Sequence, residues 1–490
     1  MPRRILIAPI VMLCLFIALG WLLVGQGRFL HFVLSAAPAL LITAYLIVTL
    51  AIRERRRKRG GSMMPIISLS LLFVLLPPFF ALILYVEGMF TWLIWALLIA
   101  QTLTFLLDFL TIPLALYHRR QEDRTEETYT DCCPSVSIVV PAYNEEKTIG
   151  HTIQSLIEAS YPDKEIIVID DGSKDSTYLA ALRYNQQGVK VFRRPNGGKA
   201  AALNYGVRVS RGEIIVFVDA DTLVSKNAIM ELVKRFKEPA VGAVAGNIRV
   251  MNRTNLLTRC QALEYIVSIG VFRRALAVFG KVTVVPGALG AYRRTLLVST
   301  GLHDPDTVAE DFDTTVKALK CGTVIQASTR AIAYTEAPQT LADLTRQRLR
   351  WYRGNFQTMW KHRDAAFNSR FGFLQALSYP YLLFSMLILP AASLVVVISL
   401  ILAILSGLAA EILYIFVFFL LLQFLLSVLA IQLEEDDMKL ALYSPFFVVG
   451  YKHFCDFIML KSFFDVLFRR RVEWGRARRI GVGLPAAKDL

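Results

Sequence analysis

Short apolar runs alternate with helical patterns in the middle of the chain, and acidic residues follow three of the runs. The runs are Val136–Val140, Ile166–Ile169 and Ile214–Val218. Runs of this length that alternate with helices are typical of βαβ units and predict a mostly parallel sheet. Ligands of such sheets bind beyond the carboxyl ends of the strands, where Asp171 and Asp219 stand. The pattern therefore predicts a site for a ligand that brings cations with it, such as a nucleotide diphosphate.

Long apolar segments precede this region and predict membrane spans. Four of them are each long enough to cross a bilayer: Ile5–Val24, Phe29–Ile52, Met64–Val86 and Phe90–Tyr117. The chain is 55% hydrophobic and 19% charged, which is too apolar for an ordinary soluble enzyme. No small-residue cleavage site follows the first segment, so we expect an anchor rather than a removed signal peptide.

Basic residues cluster beside the predicted spans. The net charge is +15, and much of it lies at Arg53–Arg59, at Arg119 and Arg120, and at Arg469–Arg471. Basic residues next to spans mark the cytoplasmic side, which favours topology and contact with anionic lipids over nucleic-acid binding. An even number of N-terminal spans then leaves the central domain in the cytosol. No pair among the six cysteines has zinc-ligand spacing, and we expect the thiols of a cytosolic domain to stay reduced.

The boundaries of these patterns predict six segments. They are four N-terminal spans at 1–117, a linker at 118–133, a cytosolic catalytic domain at 134–340, amphipathic interfacial helices at 341–382, further transmembrane or re-entrant helices at 383–468, and a basic tail at 469–490. Arginines alternate with aromatic residues from Asp343 to Lys361, which suits a helix at the membrane interface. Phe371–Ser406 reads as interfacial up to a break at Pro380 and as a span afterwards. Ala441–Phe468 is apolar but charged, and both a re-entrant and a surface-lying segment remain open.

Two carboxylates follow the third apolar run. Asp219 and Asp221 can hold Mg²⁺ or Mn²⁺, which are hard cations that prefer oxygen ligands and share their coordination sphere with phosphates. Such a metal would neutralise charge that develops on a diphosphate leaving group. The alternative is a pair of solvated acids in a turn. The position of the pair after a strand, in series with other acids at strand ends, favours the metal.

A Gly-rich turn and an Asp-Gly turn are further candidates for donor binding. Asp171 can hold a base or ribose by hydrogen bonds, or it can simply stabilise a tight turn. Asn196-Gly197-Gly198-Lys199 is a Gly-rich turn that leads into the predicted helix Ala200–Val209. A turn of this kind approaches ligands closely, and the lysine can face phosphate. The alternative is a plain left-handed turn, and the spacing is not that of a Walker motif.

Acidic and aromatic residues nearer the end of the domain predict the acceptor side. Glu310 and Asp311 precede a helical pattern, where a carboxylate can act as general base or can stabilise the helix N-terminus. A helix places Gln347, Arg350 and Trp351 on one face. The guanidinium can neutralise a diphosphate, and the indole can stack on a sugar. An interfacial helix with an aromatic anchor is the alternative.

These motifs, in this order, resemble the family 2 inverting glycosyltransferases. The motifs are Pro141-Ala142-Tyr143-Asn144-Glu145, Asp170-Asp171-Gly172-Ser173, Asp219-Ala220-Asp221, Glu310-Asp311 and QRLRW at 347–351. More narrowly, the chain looks like the membrane-embedded processive synthases of poly-N-acetylglucosamine, hyaluronan, chitin and cellulose. The resemblance covers about residues 134–363 and is looser in the predicted spans. It implies a GT-A α/β domain inserted between N- and C-terminal transmembrane helices.

The resemblance also implies a role for each motif. Asp171 would hold the uracil end of a UDP-sugar, Asp221 would be the more direct metal ligand beside Asp219, and Asp311 would be the catalytic base. The remaining implied donor-side residues are Ala142, Tyr143, Glu145 and Lys199. The implied acceptor and diphosphate clamp comprises Glu310, Gly287, Gln347, Arg350 and Trp351.

The function implied is an inverting, processive β-glycosyltransferase that uses a UDP-sugar, with N-acetylglucosamine as the first choice. It would depend on Mg²⁺ or Mn²⁺ and pass a growing polysaccharide through its own spans. The alternatives are a non-processive transferase with a glycolipid acceptor and a non-catalytic membrane transporter or scaffold. Expected partners are membrane lipids, not nucleic acid, with an accessory export subunit or a homo-oligomer allowed. The expected location is the plasma membrane. Four N-terminal spans exceed the two expected of the poly-N-acetylglucosamine type.

Overall fold

A computed structural model describes residues 111, 114–123, 133–372, 374–405, 420, 423–424 and 426–470. The predicted N-terminal spans lie outside these residues except at the end of the fourth, and the predicted basic tail lies outside them beyond residue 470. The chain divides into two compact units. One comprises Met1–Pro113 and Ile388–Phe457, and the other comprises Leu114–Leu387 and Ile458–Leu490.

Within the described residues of the second unit, eight strands form one sheet. The strands are β1 Val136–Ala142, β2 Lys164–Asp170, β3 Lys190–Arg193, β4 Ile214–Phe217, β5 Thr222–Val224, β6 Val241–Val250, β7 Gly290–Arg293 and β8 Val324–Thr335. Their order is β3-β2-β1-β4-β7-β6-β8-β5. The half from β3 to β4 is parallel, as expected. The other half is mixed, because β7 runs antiparallel to both β4 and β6.

The register of the parallel half brings the carboxyl ends of three strands together. Ala142, the last residue of β1, pairs with Asp170, the last residue of β2. Beyond the pair, the N–H of Asp171 donates to the carbonyl of Ala142 at 2.8 Å. On the other side of β1, the N–H of Val218 donates to the carbonyl of Val139 at 3.2 Å. The acids that follow β2 and β4 therefore flank the end of β1.

Helices cover the sheet and connect its strands. In the second unit they are α1 Ile149–Glu158, α2 Thr177–Leu182, α3 Lys199–Val209, α4 Ala228–Val233, α5 Leu256–Glu264, α6 Val271–Ala277, α7 Arg294–Ser299, α8 Glu310–Lys320, α9 Leu341–Lys361, α10 Asp364–Phe367 and α11 Tyr379–Leu383. A π-helical segment, Tyr265–Gly270, joins α5 to α6. Helix α3 packs closely on β1 at Gly206. A Cβ added to this glycine would lie only 2.3 Å from Cγ1 of Val139.

Part of the predicted linker is helical and bound to the sheet. Residues 114–123 are helical, and Glu122 is buried. Its carboxylate accepts hydrogen bonds from Arg235 at 2.6 Å, from Arg274 at 3.2 Å and from the N–H of Thr329 at 2.9 Å. Burial alone would raise the pKa of Glu122, but the two guanidinium groups hold it below its usual value. These contacts hold the helical part of the predicted linker against the rest of the second unit.

Among the described residues, one helix is long and apolar enough to cross a membrane. It runs from Leu374 to Leu402 and overlaps α12, Leu389–Leu405, in all but the last three residues of that helix. The helix continues through Pro380, where the sequence analysis expects a break. A π-helical turn, Leu374–Ser378, precedes the proline, and a wider turn of this kind accommodates the missing N–H and the ring.

The ambiguous C-terminal segment is broken into short pieces. The 3₁₀ segment Met438–Tyr443, α13 Ser444–Phe446 and the π-helical Phe447–Lys452 precede α14, His453–Leu467. The chain kinks within the third piece, where Gly450 has φ 109°. Helix α14 has 15 residues and is about 22 Å long, which is shorter than a bilayer core of about 30 Å. Both the re-entrant and the surface-lying interpretation are compatible with this length.

Candidate active site

Three predicted site residues from distant parts of the sequence converge on Gly287. A Cβ placed on this glycine would lie 3.0 Å from Nζ of Lys199, 3.7 Å from Oδ2 of Asp311 and 3.8 Å from Oδ1 of Asp219. Lys199 begins α3, Asp219 follows β4, and Asp311 lies in the first turn of α8. Gly287 leaves open the space in which these three charged groups meet. The convergence defines the candidate active site.

Lys199 links the two acidic motifs of the site. Its Nζ lies 2.7 Å from Oδ1 of Asp219 and 2.9 Å from Oε1 of Glu310. Burial alone would lower the pKa of Lys199, but the carboxylates of Asp219, Glu310 and Asp311 raise it well above its usual value. The lysine is therefore a permanent cation within a group of carboxylates.

Asp311 is partly buried and is held by two backbone donors. The N–H of Gly287 donates to Oδ2 at 3.1 Å, and the N–H of Phe312 donates to Oδ1 at 2.8 Å. Burial and the neighbouring charge of Glu310 raise the pKa of Asp311 to about 6. A carboxylate with this pKa is ionised at neutral pH and is a stronger base than an ordinary aspartate. Asp311 thus has the properties that a general base requires.

Asp219 and Asp221 lie on the short turn between β4 and β5. The N–H of Thr222 donates to the carbonyl of Asp219 at 3.1 Å and closes the turn. Asp221 is buried, with 8% of its surface exposed, beside the partly exposed Asp219. Two carboxylates at one strand end supply the oxygen ligands that Mg²⁺ and Mn²⁺ prefer, and a diphosphate can supply others. The residues present therefore fit a divalent cation.

Another group of carboxylates lies away from this turn. Oxygen atoms of Asp304, Asp306 and Asp313 lie within 4.8 Å of one another. The ammonium group of Lys361 contacts all three, at 2.7 Å, 2.8 Å and 3.1 Å. The lysine already neutralises the group, so we interpret it as an ion-pair cluster that joins α8 to the end of α9.

Asp171 holds the Gly-rich turn that precedes Lys199. Its carboxylate accepts hydrogen bonds from the N–H of Gly198 at 2.8 Å and of Gly197 at 3.1 Å, and Arg194 lies 2.7 Å from Oδ1. Gly198 has φ 86°, a conformation that glycine adopts without strain. Asp171 is buried, and its hydrogen bonds shape this turn. The structure thus ties the acid after β2 to the start of α3.

The predicted donor residues after β1 lie beside the acids of β2. Ala142 is buried at the strand end, and Tyr143 is partly exposed. The N–H of Glu145 donates to the hydroxyl of Thr177 at 2.7 Å, and its carboxylate accepts from Thr148 at the start of α1 at 3.0 Å. Glu145 therefore orders the loop that follows β1.

The QRLRW residues lie in α9, where they are buried or partly exposed. Gln347 and Arg348 are buried, while Arg350 and Trp351 are partly exposed. Arg348 forms an ion pair with Glu264 of α5 and lies 4.3 Å from the centre of the Trp351 ring. This contact fixes the indole by a cation–π interaction.

Sequence reasoning missed two features that position α9. The pair of Arg348 and Glu264 joins residues 84 positions apart, and nothing in the local pattern marks them as partners. Gly354 packs against Ala309, the residue before the acidic pair of α8. A glycine among large residues in an amphipathic helix was the available signal, since such a glycine often marks a close approach.

Comparison with known sequences finds relatives of the central domain. A family model described as glycosyl transferase family 2 matches residues 137–300. A poly-beta-1,6-N-acetyl-D-glucosamine synthase of Staphylococcus epidermidis is 32% identical over 227 residues, which cover 46% of this chain and 55% of that protein. A synthase of the same name from Staphylococcus aureus strain COL matches with the same identity and coverage. The chain spans about half the length of the curated relatives it matches.

Comparison with solved structures finds the same fold in a mannosyltransferase from Pyrobaculum calidifontis, solved in complex with GDP-Man and Mn²⁺. The TM-score is 0.51 and the identity is 22%, over 76% of this chain and 100% of that chain. At this identity the likeness shows the fold alone. It agrees with the arrangement of sheet and helices described above.

Proposed function

Because residues 137–300 form a family 2 glycosyl transferase domain with the GT-A fold, we propose that this chain is a hexosyltransferase that polymerises a sugar from a UDP-sugar donor. N-Acetylglucosamine is the sugar we propose, since the two relatives described above are named as poly-N-acetylglucosamine synthases. The transfer would be inverting and processive, and it would take place on the cytosolic side of the plasma membrane.

The observation that carries this proposal is the convergence of Lys199, Asp219 and Asp311 at Gly287. A base, a cation and a carboxylate suited to a metal stand within a few ångströms of one open position. Sugar transfer from a nucleotide diphosphate needs these three functions at one place, because a hydroxyl must be activated while a diphosphate leaves. A non-catalytic transporter or scaffold has no need of such an arrangement.

On the donor side, the chain's own cations and carboxylates hold the diphosphate. Asp219 and Asp221 would hold Mg²⁺ or Mn²⁺, which would offset charge on the departing diphosphate. Lys199 lies beside Asp219 and adds a fixed positive charge. Arg350 of α9 would complete the clamp. Asp171 would support the nucleotide through the Gly197-Gly198 turn.

On the acceptor side, Asp311 takes the proton from the attacking hydroxyl. The hydroxyl oxygen forms a bond to the anomeric carbon as the bond from that carbon to the diphosphate oxygen breaks. The bonding electrons leave with UDP, and the configuration changes from α to β. No covalent intermediate with the enzyme is needed. The partly exposed indole of Trp351 would support the acceptor sugar by stacking.

The long apolar helix supports the membrane part of the proposal. Leu374–Leu402 meets the requirement for a span by length and composition. We propose that the growing polysaccharide crosses the bilayer next to this helix, and that the predicted N-terminal spans complete the path. An accessory export subunit or a second copy of the chain would be compatible with this arrangement.

Product analysis with single donors tests the proposed function. Full-length protein in membranes is given one radiolabelled UDP-sugar at a time with Mg²⁺ or Mn²⁺, and the product is separated by chromatography. We expect a long polymer from UDP-N-acetylglucosamine only, and release of one UDP for each sugar added. Single-sugar glycolipids would replace the processive proposal with the non-processive one. No turnover with any UDP-sugar would overturn the enzyme proposal.

The matched control for this experiment is Asp311→Asn. Asparagine has the same shape but cannot accept a proton at neutral pH, so transfer should fall by at least about 100-fold. Binding of UDP should change little, because Asp311 faces the acceptor. A fully active Asp311→Asn variant would remove Asp311 from the mechanism.

A further inference from the structure

Helix α9 touches the residue that precedes the acidic pair of α8. Gly354 lies in α9 and is buried. A Cβ placed on it would lie 2.6 Å from Cβ of Ala309, 2.9 Å from the nitrogen of Ala309 and 3.2 Å from the carbonyl carbon of Val308. Two of these neighbours are backbone atoms, which cannot rotate away as a flexible side chain can. Only glycine at position 354 allows the present distance between the two segments.

The position of Ala309 determines the position of the proposed base. Ala309 is the N-cap residue of α8, and its carbonyl accepts the N–H of Asp313 at 3.0 Å. Glu310 and Asp311 follow directly in the chain. Asp311 is also fixed from the other side by the N–H of Gly287. A displacement of Ala309 by a side chain at position 354 would therefore be transmitted to Asp311 through the backbone.

The position of α9 is fixed by other contacts on both sides of Gly354. Arg348 forms an ion pair with Glu264, and Arg353 forms one with Asp465. At the end of the helix, Lys361 contacts Asp313 of α8 at 3.1 Å. Because the helix is held at these points, a clash at Gly354 cannot be relieved by a simple shift of α9.

Gly354 lies one helical turn beyond the residues proposed to bind diphosphate and acceptor. It follows Arg350 by four positions and Trp351 by three, which places it on the same face of the helix as these two residues. The contact with Ala309 is therefore a place where the helix that carries Trp351 meets the segment that carries Asp311, and it is the closest approach of backbone that Gly354 makes there.

We propose that Gly354 is a positioning residue that holds Asp311 at its working distance from Trp351 and Arg350. The inference rests on the proposed sugar transfer and deepens it. Gly354 touches neither donor nor acceptor; it acts through Ala309. A misplacement of about 1 Å in such a site can lower a rate by about 100-fold, because the reacting atoms lose their alignment.

The test is Gly354→Ala in the full-length protein, with kcat for sugar transfer and Kd for UDP measured in parallel. We expect kcat to fall about 10-fold to 100-fold, while Kd for UDP changes by less than about twofold. Lys199 and Asp219 should keep their geometry, because the clash is with Ala309 and Val308. Retained UDP binding also shows that the variant is folded.

Gly150→Ala is the matched control. Gly150 also lies in a helix, but the nearest atom to an added Cβ is the hydroxyl of Tyr184 at 3.3 Å, at the end of a side chain that can move. We expect this variant to keep the wild-type kcat. If alanine in place of a helical glycine lowered kcat by the same factor in both variants, the inference would be overturned.

Rescue by a second substitution distinguishes positioning from loss of stability. Ala309→Gly removes the atom that would lie 2.6 Å from the new Cβ. In the Gly354→Ala background it should restore kcat in part, by about twofold or more, because the 2.6 Å clash is relieved while the contacts with the backbone of Ala309 and Val308 remain. No recovery, a wild-type kcat for Gly354→Ala, or equal losses of kcat and UDP affinity would each overturn the inference. A wild-type protein without transferase activity would instead overturn the proposed function on which it rests.

Discussion

The ammonium group of Lys199 lies 2.7 Å from Oδ1 of Asp219, at the start of α3 and the end of β4. The contact joins the Gly-rich turn to the Asp-x-Asp motif, two features that the sequence places 20 residues apart. The same ammonium group lies 2.9 Å from Glu310, beside the proposed base. One lysine therefore connects the proposed donor side of the site with the proposed acceptor side.

Lys199→Met should weaken donor binding. Loss of a charge-assisted contact to phosphate costs about 1.5–3 kcal/mol, so KM for the UDP-sugar should rise by about tenfold to 100-fold. Steady-state kinetics with varied donor and saturating Mg²⁺ measures this effect. Lys199→Arg keeps the charge, so its KM for the UDP-sugar should rise by a smaller factor. A Lys199→Met variant with wild-type donor KM would exclude the lysine from the donor site.

Transfer should fail at acid pH because Asp311 becomes protonated. Burial and the charge of Glu310 raise the pKa of Asp311 to about 6, and the protonated acid cannot accept the acceptor's proton. In a plot against pH, kcat/KM should therefore not change with the protonation of Asp311 above about pH 7. It should fall about tenfold per pH unit below about pH 6, and this falling part is the acid limb of the profile. A profile of kcat/KM from pH 5 to pH 8 measures the midpoint.

Glu310→Gln should move this acid limb to lower pH. The variant removes the neighbouring negative charge that raises the pKa of Asp311. Glu158→Gln is a control, since Glu158 lies exposed at the end of α1 and outside the site. An unchanged midpoint in Glu310→Gln would show that the observed limb does not belong to Asp311.

Asp171→Asn should weaken nucleotide binding through the Gly-rich turn. An amide in place of the carboxylate leaves the N–H groups of Gly197 and Gly198 poorly paired, at a cost of about 1–3 kcal/mol. Isothermal titration should then show UDP and CDP affected by a similar factor. Asp163→Asn, on an exposed loop, is the control. A loss confined to UDP would instead assign Asp171 to the uracil, as the family resemblance implies.

Asp465→Ala should destabilise the second unit. Asp465 and Arg353 form a buried ion pair between α14 and α9. Removing the carboxylate leaves the guanidinium buried without this partner, which costs about 3–5 kcal/mol. Thermal unfolding in detergent should show a lower midpoint. Lys461→Ala removes a more exposed partner of Asp465 and should lower the free energy of unfolding by less than about 1 kcal/mol. Equal losses of stability in the two variants would contradict a special role for the buried pair of Asp465 and Arg353.

The parallel half of the sheet and the acids at its edge could be predicted from the sequence. The apolar runs at 136–140, 166–169 and 214–218 lie within or across β1, β2 and β4, because a buried parallel strand needs apolar residues on both faces. The mixed half was not predicted. The short β7, Gly290–Arg293, carries no pattern that indicates its direction, which depends on the strands beside it.

The identities of the candidate site residues were also predicted, but not their contacts. Sequence order placed Asp219 after a strand and Asp311 at the start of a helix. It did not show that Asp171 binds the Gly197-Gly198 turn, or that Lys199 joins Asp219 to Glu310. Such contacts form between segments that are far apart in the chain, and each segment alone is compatible with a different partner.

The sequence by itself determined which chemistry this protein can carry, because residue types and their order along strands and helices are local properties. It also determined the central α/β domain and the apolar segments around it. Only the tertiary structure decided that Gly354 lets α9 reach Ala309, and that Arg348 is buried against Glu264. Close packing and charge pairing depend on distances between segments, and these distances are set by the whole fold at once.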